Sequence, residues 1–328
     1  MENEKYMVRV SCRTYNQSPY ILQTLDGFCS QQTKFPFVCT IIDDASQDGE
    51  PCIISKYMHD HFSLDELSVA HFEETEDYTM TFARHRINKE CYFAVILLKY
   101  NHFQSQKTGK KLSYIARWTD ASKYLAICEG DDYWTDPLKL QKQVDFLEAH
   151  PECNLVYTDV NAYYQKDKRM TEGFFGQGVY RRRKDTHRDI IMWGWFLAPC
   201  TWVYRNGVVV YPEQRKPELF YGDIFVLLSL SKDGHIHYID EPTAVYRILE
   251  ESASHSNDPV KKFNFWKRGR ATRATFAAKQ SFWFRIKFFL FNTTLAIRAL
   301  VKTKHISETG NYLSMLKNEM GLLFNSSY

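Results

Sequence analysis

Short apolar segments alternate with amphipathic helical segments through the first 150 residues of this 328-residue chain. Residues 7–13 and 35–42 are rich in β-branched or aromatic side chains, and each is followed by apolar residues at helical spacing. Residues 92–98 and 124–128 continue the series as further strands. Because a β-α-β-α order usually builds parallel strands, the pattern predicts an α/β fold with a mostly parallel central sheet flanked by helices.

Acidic residues follow two of these predicted strands. Asp43 and Asp44 come after the second strand, and Glu129, Asp131 and Asp132 come after residue 128. Ligands of open α/β sheets bind beyond the carboxyl ends of the strands. Three carboxylates within four residues repel one another, so they favour a divalent cation that bridges phosphates, with an acidic turn as the alternative. Asp43 and Asp44 fit a contact with a base or ribose, or equally a turn before the next helix.

Composition excludes several classes of protein. No window has the roughly 18 uninterrupted apolar residues of a membrane-spanning helix. The polar residues 1–5 leave no room for a signal peptide, so we expect a cytoplasmic protein. The eight cysteines stand singly, without a Cys-x-x-Cys pair, and we interpret them as reduced packing residues.

The C-terminal region carries the strongest charge asymmetry. Residues 260–304 contain twelve Lys or Arg and no Asp or Glu, interleaved with aromatic residues. Such a helical segment suits the anionic inner face of the cytoplasmic membrane, which would make the protein peripheral there. A helical extension packed on the catalytic body or on a second subunit is the alternative, and an oligomer stays open. The acidic remainder of the chain argues against a nucleic-acid partner.

A family resemblance connects these features. The segments VSCRTYNQ (10–17), IIDDASQDG (41–49), EGDDYW (129–134), GD (222–223) and VYR (245–247) follow the order and spacing found in inverting family 2 glycosyltransferases. The sequence looks most like the bacterial enzymes of that family that build surface polysaccharide. The resemblance covers about residues 7–248 and implies the GT-A fold. The resemblance predicts a catalytic domain over 1–250, and the composition of the remainder predicts a basic, aromatic-rich helical region over 251–328.

The resemblance also implies roles for the first two motifs. Thr14 and Tyr15 resemble the residues that hold the nucleotide, with Tyr15 stacking on the base. Asp44 resembles the residue that bonds the base, and Asp43 stands beside it.

The later motifs imply residues that bind the metal and a residue that acts as the catalytic base. Asp132 resembles the direct metal ligand, and Asp131 resembles a residue in contact with the ribose and the metal. Glu129 stands where many relatives have the first Asp of the Asp-x-Asp motif, so which carboxylates touch the ion stays open. Asp223 matches the catalytic base of the family.

An acceptor side is also implied. The strand around Thr201 and Trp202 resembles the acceptor-lining segment of relatives, and Trp195 just before it could stack on a sugar. Ordinary core aromatics are the alternative for each Trp.

Together the sequence and the resemblance predict a Mn²⁺- or Mg²⁺-dependent enzyme. It would move a sugar, with inversion, from a nucleoside diphosphate donor, by analogy a UDP-sugar, to a carbohydrate or lipid-linked glycan. Two alternatives remain. A nucleotidyltransferase would normally show a Gly-rich loop, which residues 13–17 lack. A non-catalytic nucleotide-sugar-binding module would keep the site without turnover.

Overall fold

The computed structural model describes residues 5–105, 110–174, 186–194, 197–211, 222–250, 258–303 and 309–324. The chain forms two compact units. The first comprises Met1–Arg181, Leu197–Val208 and His235–Arg247, and the second comprises Arg182–Phe196, Val209–Gly234 and Ile248–Tyr328. The domain boundary at residue 250 stays a prediction.

The described part of the first unit is built on an eleven-stranded sheet. The strands are β1 (Tyr6–Thr14), β2 (Phe37–Asp43), β3 (His71–Glu74), β4 (Tyr78–Arg84), β5 (Cys91–Leu98), β6 (Ser122–Ile127), β7 (Tyr133–Trp134), β8 (Cys153–Tyr164), β9 (Arg169–Thr171), β10 (Val203–Arg205) and β11 (His235–Ile248). Their order across the sheet is β3-β4-β5-β2-β1-β6-β10-β8-β11-β7, and β9 pairs with β8.

The sheet is parallel only at its centre. Strands β5, β2, β1 and β6 pair in parallel. Antiparallel pairing joins β3 to β4, β4 to β5, β10 to both β6 and β8, β8 to β9, and β11 to β7. The α/β class with a central sheet flanked by helices is confirmed, whereas a mostly parallel sheet holds only for these four strands. Residues 75–77 join β3 to β4. This link forces an antiparallel hairpin, because a connection between parallel strands needs about a dozen residues or more.

Five helices flank this sheet in the described part of the first unit. They are α1 (Ile21–Cys29), α2 (Glu50–His61), α3 (Lys110–Tyr114), α4 (Ala116–Asp120) and α5 (Lys139–Ala149). Alternate residues of β2 pack in different clusters: Cys39 and Ile41 belong to one hydrophobic core, and Val38 and Ile42 belong to the other. The centre of the sheet is therefore buried on both faces, as parallel strands normally are.

The described part of the second unit is helical. Its helices are α6 (His187–Trp193), α7 (Gly222–Lys232), α8 (Pro259–Ala277), α9 (Phe282–Thr303) and α10 (Thr309–Phe324).

Two cations of the basic segment 260–304 are buried in this unit. Arg270 forms a buried ion pair of 2.5 Å with Glu319, and Arg273 donates to the carbonyls of Ile191 and Met192 at 3.2 and 2.8 Å. Among the described helices, none combines the length and apolar character needed to cross a membrane.

Candidate functional site

The carboxyl ends of β1, β2 and β6 meet at one edge of the sheet. Thr14 pairs with Asp43 in the register of β1 and β2. The backbone N–H of Asp44 donates to the carbonyl of Thr14 at 3.0 Å, and the N–H of Gly130 donates to the carbonyl of Arg13 at 3.1 Å. The parallel centre of the sheet thus brings together three motifs that are far apart in sequence.

A glycine allows the acidic loop after β6 to touch the end of β1. A Cβ atom added at Gly130 would lie 2.4 Å from Thr14 Oγ1 and 2.5 Å from Gln17 Oε1, closer than real Cβ atoms come. The loop and the turn after β1 therefore form one packed surface.

The Thr14 side chain is hydrogen-bonded to a buried glutamate, Glu50, that the sequence analysis missed. The Thr14 hydroxyl donates to Glu50 Oε1. The other carboxyl oxygen, Oε2, accepts from the Gln17 N–H at 2.9 Å and from the Ser46 hydroxyl at 3.0 Å. Burial raises the pKa of Glu50. The neighbouring Tyr15 is 39% exposed, so its ring is open to a ligand.

Asp43 is buried at the end of β2 with one oxygen in use. Its Oδ2 accepts from the backbone N–H of Ser46 at 3.0 Å, while its Oδ1 is buried without a hydrogen-bond partner in the described structure. Burial raises the pKa of Asp43.

Asp44 is held by an ion pair that the sequence analysis also missed. Its carboxylate lies 2.7 Å from Lys111 Nζ, and both side chains are almost fully buried. The backbone N–H groups of His102 and Phe103 donate to it at 2.8 and 3.3 Å. Asp44 therefore ties α3 and the preceding loop to the edge of the sheet.

The two aspartates after β6 lie in an environment that disfavours their charge. Burial raises the pKa of Asp131, and burial together with Asp131 raises the pKa of Asp132. Asp132 Oδ1 accepts from the backbone N–H of Arg247 at 2.8 Å, whereas Glu129 Oε2 accepts from the Arg13 N–H at 3.2 Å. A bound cation would reverse this preference, because an opposite charge nearby favours the ionised carboxyl.

A divalent cation fits this pair as part of a shared site. In the residues that the structure describes, no cluster of three or more His, Cys, Asp or Glu side chains is arranged to hold a metal. Mg²⁺ is usually bound by one or two carboxylates together with substrate phosphates. Asp131 and Asp132 can supply such carboxylates, with the remaining ligands coming from a diphosphate and water.

Asp223 lies in the second unit, in the first turn of α7. Its carboxylate is partly exposed, and its Oδ1 accepts from the backbone N–H of Ile224 at 2.8 Å. The positive end of the helix dipole favours a negative charge at this position. Its role as a catalytic base stays a prediction.

The residues predicted to line the acceptor side are internal or outside the described residues. Trp195 falls outside them. The Thr201 hydroxyl donates to the carbonyl of Ala198 at 2.7 Å, and Trp202 is fully buried. Neither side chain offers an open face, so their burial fits the alternative of core packing.

Comparisons with known sequences give relatives without a described activity. No family model matches the chain. Rv1520 of Mycobacterium tuberculosis, named as an uncharacterized protein, is 31% identical over 268 residues, which cover 81% of this chain. MT1570 of M. tuberculosis and Mb1547 of M. bovis match to the same extent. The chain spans 65% of the length of these relatives.

Comparison with solved structures identifies the fold. Residues 1–349 of TarS from Staphylococcus aureus superpose with a TM-score of 0.56 at 14% identity, covering 97% of this chain and 81% of that chain. The same fragment in complex with UDP gives 0.56 at 15% identity, and the complex with UDP-GlcNAc gives 0.55 at 14% identity, with the same coverage. The chain therefore has a glycosyltransferase-like α/β fold.

Proposed function

We propose that this chain is a metal-dependent, inverting glycosyltransferase of family 2 that uses a nucleotide sugar. The observation that carries the proposal is the meeting of Asp43, Asp44, Asp131 and Asp132 at the carboxyl edge of the parallel strands. Tyr15 adds an exposed ring at the same edge. A further support is the shared fold with TarS, which was solved with UDP and with UDP-GlcNAc.

The proposed chemistry divides between two kinds of carboxylate. Asp132, with Asp131, would hold Mn²⁺ or Mg²⁺, which when bound offsets the charge that develops on the leaving diphosphate. Asp223 would take the proton of the acceptor hydroxyl while that oxygen bonds to the anomeric carbon and the diphosphate leaves from the opposite face. No covalent sugar intermediate on the protein is required.

The first experiment separates binding from catalysis. Binding of UDP with Mn²⁺ is measured by calorimetry, and hydrolysis of UDP-sugars is measured with and without Mn²⁺. We expect Asp132→Asn to lose metal-dependent binding. Asp223→Asn should keep binding and lose about 10²-fold or more in rate. Asp145→Asn, an exposed substitution on α5, is the matched control.

The results also distinguish the alternatives. Release of pyrophosphate from UTP in the presence of a sugar phosphate would identify nucleotidyl transfer instead. Tight nucleotide-sugar binding without turnover on any acceptor would favour a non-catalytic module. Normal rates in Asp223→Asn would remove Asp223 from the base role.

The proposal extends to the donor and acceptor. A uridine base and a lipid-linked glycan of a surface polysaccharide are the expected substrates. A panel of UDP-, GDP-, CDP- and ADP-sugars, tested for thermal stabilisation with Mn²⁺, identifies the base, because a ligand selective for the folded state raises its stability. Greater stabilisation by a base other than uracil would contradict this part of the proposal.

We further propose that α9 attaches the protein to an anionic membrane surface. Trp283, Leu290 and Ile297 recur every seven residues and are 77%, 60% and 55% exposed, and Lys287 is exposed on the same side. Residues 260–304 carry no acidic side chain to oppose the attraction. An exposed apolar stripe beside cations is typical of helices that lie in the headgroup region.

Vesicle sedimentation tests this attachment. We expect the protein to sediment with vesicles containing phosphatidylglycerol, less at high salt, and not with pure phosphatidylcholine. Trp283→Ser with Leu290→Ser should abolish sedimentation. Ile87→Ser, equally exposed in the first unit, should not. A concentration-dependent oligomer that the double variant disrupts, with no vesicle binding, would show that a second copy covers the stripe.

A further inference from the structure

A single arginine of β11, Arg247, joins the acidic loop after β6 to Gln23 of α1 and to Gln165, which follows β8. The backbone N–H of Arg247 donates to Asp132 Oδ1 at 2.8 Å, and its Nε donates to the carbonyl oxygen of Asp131, also at 2.8 Å. Its Nη1 donates to Gln165 Oε1 at 2.8 Å, and its Nη2 donates to Gln23 Oε1 at 2.6 Å. All three guanidinium nitrogens are thus bound to protein groups.

Three tyrosines surround the same guanidinium. Its carbon lies 4.6 Å from the ring centre of Tyr20, 5.3 Å from that of Tyr133 and 5.6 Å from that of Tyr163. The side chain is buried among them. A planar guanidinium can stack on rings and donate in three directions at once, whereas a lysine ammonium cannot reproduce both contacts.

These contacts act on the backbone of the acidic loop. Arg247 Nε holds the carbonyl oxygen of Asp131, and the Arg247 backbone N–H holds the carboxylate of Asp132. Both aspartates are therefore held by one residue of β11. The Arg247 charge also favours the ionised form of Asp131. We propose that Arg247 is a positioning residue that holds Asp131 and Asp132 in the arrangement that accepts the cation and diphosphate, an inference that rests on the proposed function.

The test compares two arginines whose guanidinium groups each bond several protein groups. Arg247→Met removes the guanidinium group but keeps the backbone N–H bond to Asp132. Arg247→Lys keeps the positive charge. Arg205→Met is the matched control. Arg205 donates to the carbonyls of Cys153, Leu147 and His150 at 2.8, 2.5 and 3.0 Å. Each full-length variant is checked for folding by circular dichroism and for its melting temperature.

Two readouts distinguish positioning from a merely structural role. We expect Arg247→Met to weaken binding of UDP with Mn²⁺ by about tenfold or more, with Arg247→Lys in between, as for residues that orient metal ligands. Arg205→Met should lose comparable stability and keep its affinity within about twofold of the wild type. Hydrogen exchange of residues 129–134 should accelerate in Arg247→Met only.

The two proposals fail in different ways. Unchanged affinity and unchanged exchange in a folded Arg247→Met protein would overturn the positioning role. An equal loss of affinity in Arg205→Met would also overturn it, because general destabilisation would then account for the effect. Absence of Mn²⁺-dependent binding of every nucleotide in the UDP, GDP, CDP and ADP panel by the wild type would instead overturn the proposed function. The exchange measurement would still decide whether Arg247 holds the loop.

Discussion

At the scale of single residues, Gly130 determines how closely the acidic loop approaches β1. In Gly130→Ala the new Cβ would meet Thr14 Oγ1 and Gln17 Oε1 at 2.4 and 2.5 Å, so β1 and the loop must separate. We expect a loss of about 1–3 kcal/mol in the free energy of unfolding, measured by denaturant titration. The separation should also weaken binding of UDP with Mn²⁺.

Gly207→Ala is the control for this prediction. Gly207 has a φ of +80° and no atom within 4 Å of an added Cβ, so alanine there adds backbone strain without a clash. It should cost about 1–2 kcal/mol and leave nucleotide binding unchanged. Unchanged nucleotide affinity in Gly130→Ala would show that the close approach does not matter for the site.

The residue scale also shows which parts of the site the sequence could predict. Asp44 and Asp132 follow strands of a parallel sheet, so their meeting at one edge follows from a local pattern. Lys111 and Glu50 gave no such signal, because charged residues are normally exposed and their burial depends on tertiary partners. Arg247 stood in a recognised motif, yet its role became visible only from contacts with segments distant in the chain.

At the scale of elements, a buried ion pair links α3 to the end of β2. Lys111→Met would leave the Asp44 carboxylate buried without its cation, so we expect a loss of about 3 kcal/mol or more in the free energy of unfolding. The double variant Asp44→Asn with Lys111→Met should recover part of that loss. A thermodynamic cycle from denaturant titrations measures the coupling.

The adjacent lysine provides the control. Lys110 Nζ lies 3.2 Å from Asp77 Oδ2 in a more exposed pair, so Lys110→Met should cost less than about 1 kcal/mol. Equal costs at positions 110 and 111 would argue against a special role for the buried pair.

The elements themselves were predictable where periodicity was strong. The hairpin of β3 and β4 was missed, because His71, Glu73 and Glu74 give β3 the composition of a loop, although Tyr78 and Met80 alternate as in a strand. Between β5 and β6 the chain forms two short helices, α3 and α4. Strand direction outside the β-α-β region depends on pairing between distant segments, which hydrophobic periodicity does not encode.

At the scale of the whole molecule, the second unit depends on a counter-charge from a distant part of the chain. Residues 260–304 contain no acidic residue, and Glu319 of α10 supplies the partner of Arg270. Glu319→Gln removes the carboxylate that faces the buried guanidinium of Arg270, so we expect about 3–5 kcal/mol of destabilisation and faster hydrogen exchange in α8 and α10. Replacing the pair by Arg270→Met with Glu319→Leu should restore most of the stability.

An exposed ion pair serves as the control for this prediction. Asp233→Asn removes the partner of Lys232 and should leave the free energy of unfolding almost unchanged.

The acidic edge of the first unit predicts how stability depends on pH. Burial raises the pKa values of Asp43, Glu50, Asp131 and Asp132, so the folded chain holds protons to a higher pH than the unfolded chain. Their contribution to stability is therefore full below the unfolded pKa of about 4 and is lost as the pH rises through the folded values. A cation binds only the ionised carboxylates, so Mn²⁺ should raise the melting temperature more at about pH 8 than at about pH 5. In Asp132→Asn this difference should largely vanish, and equal stabilisation of the wild type at both pH values would contradict a cation held by these aspartates.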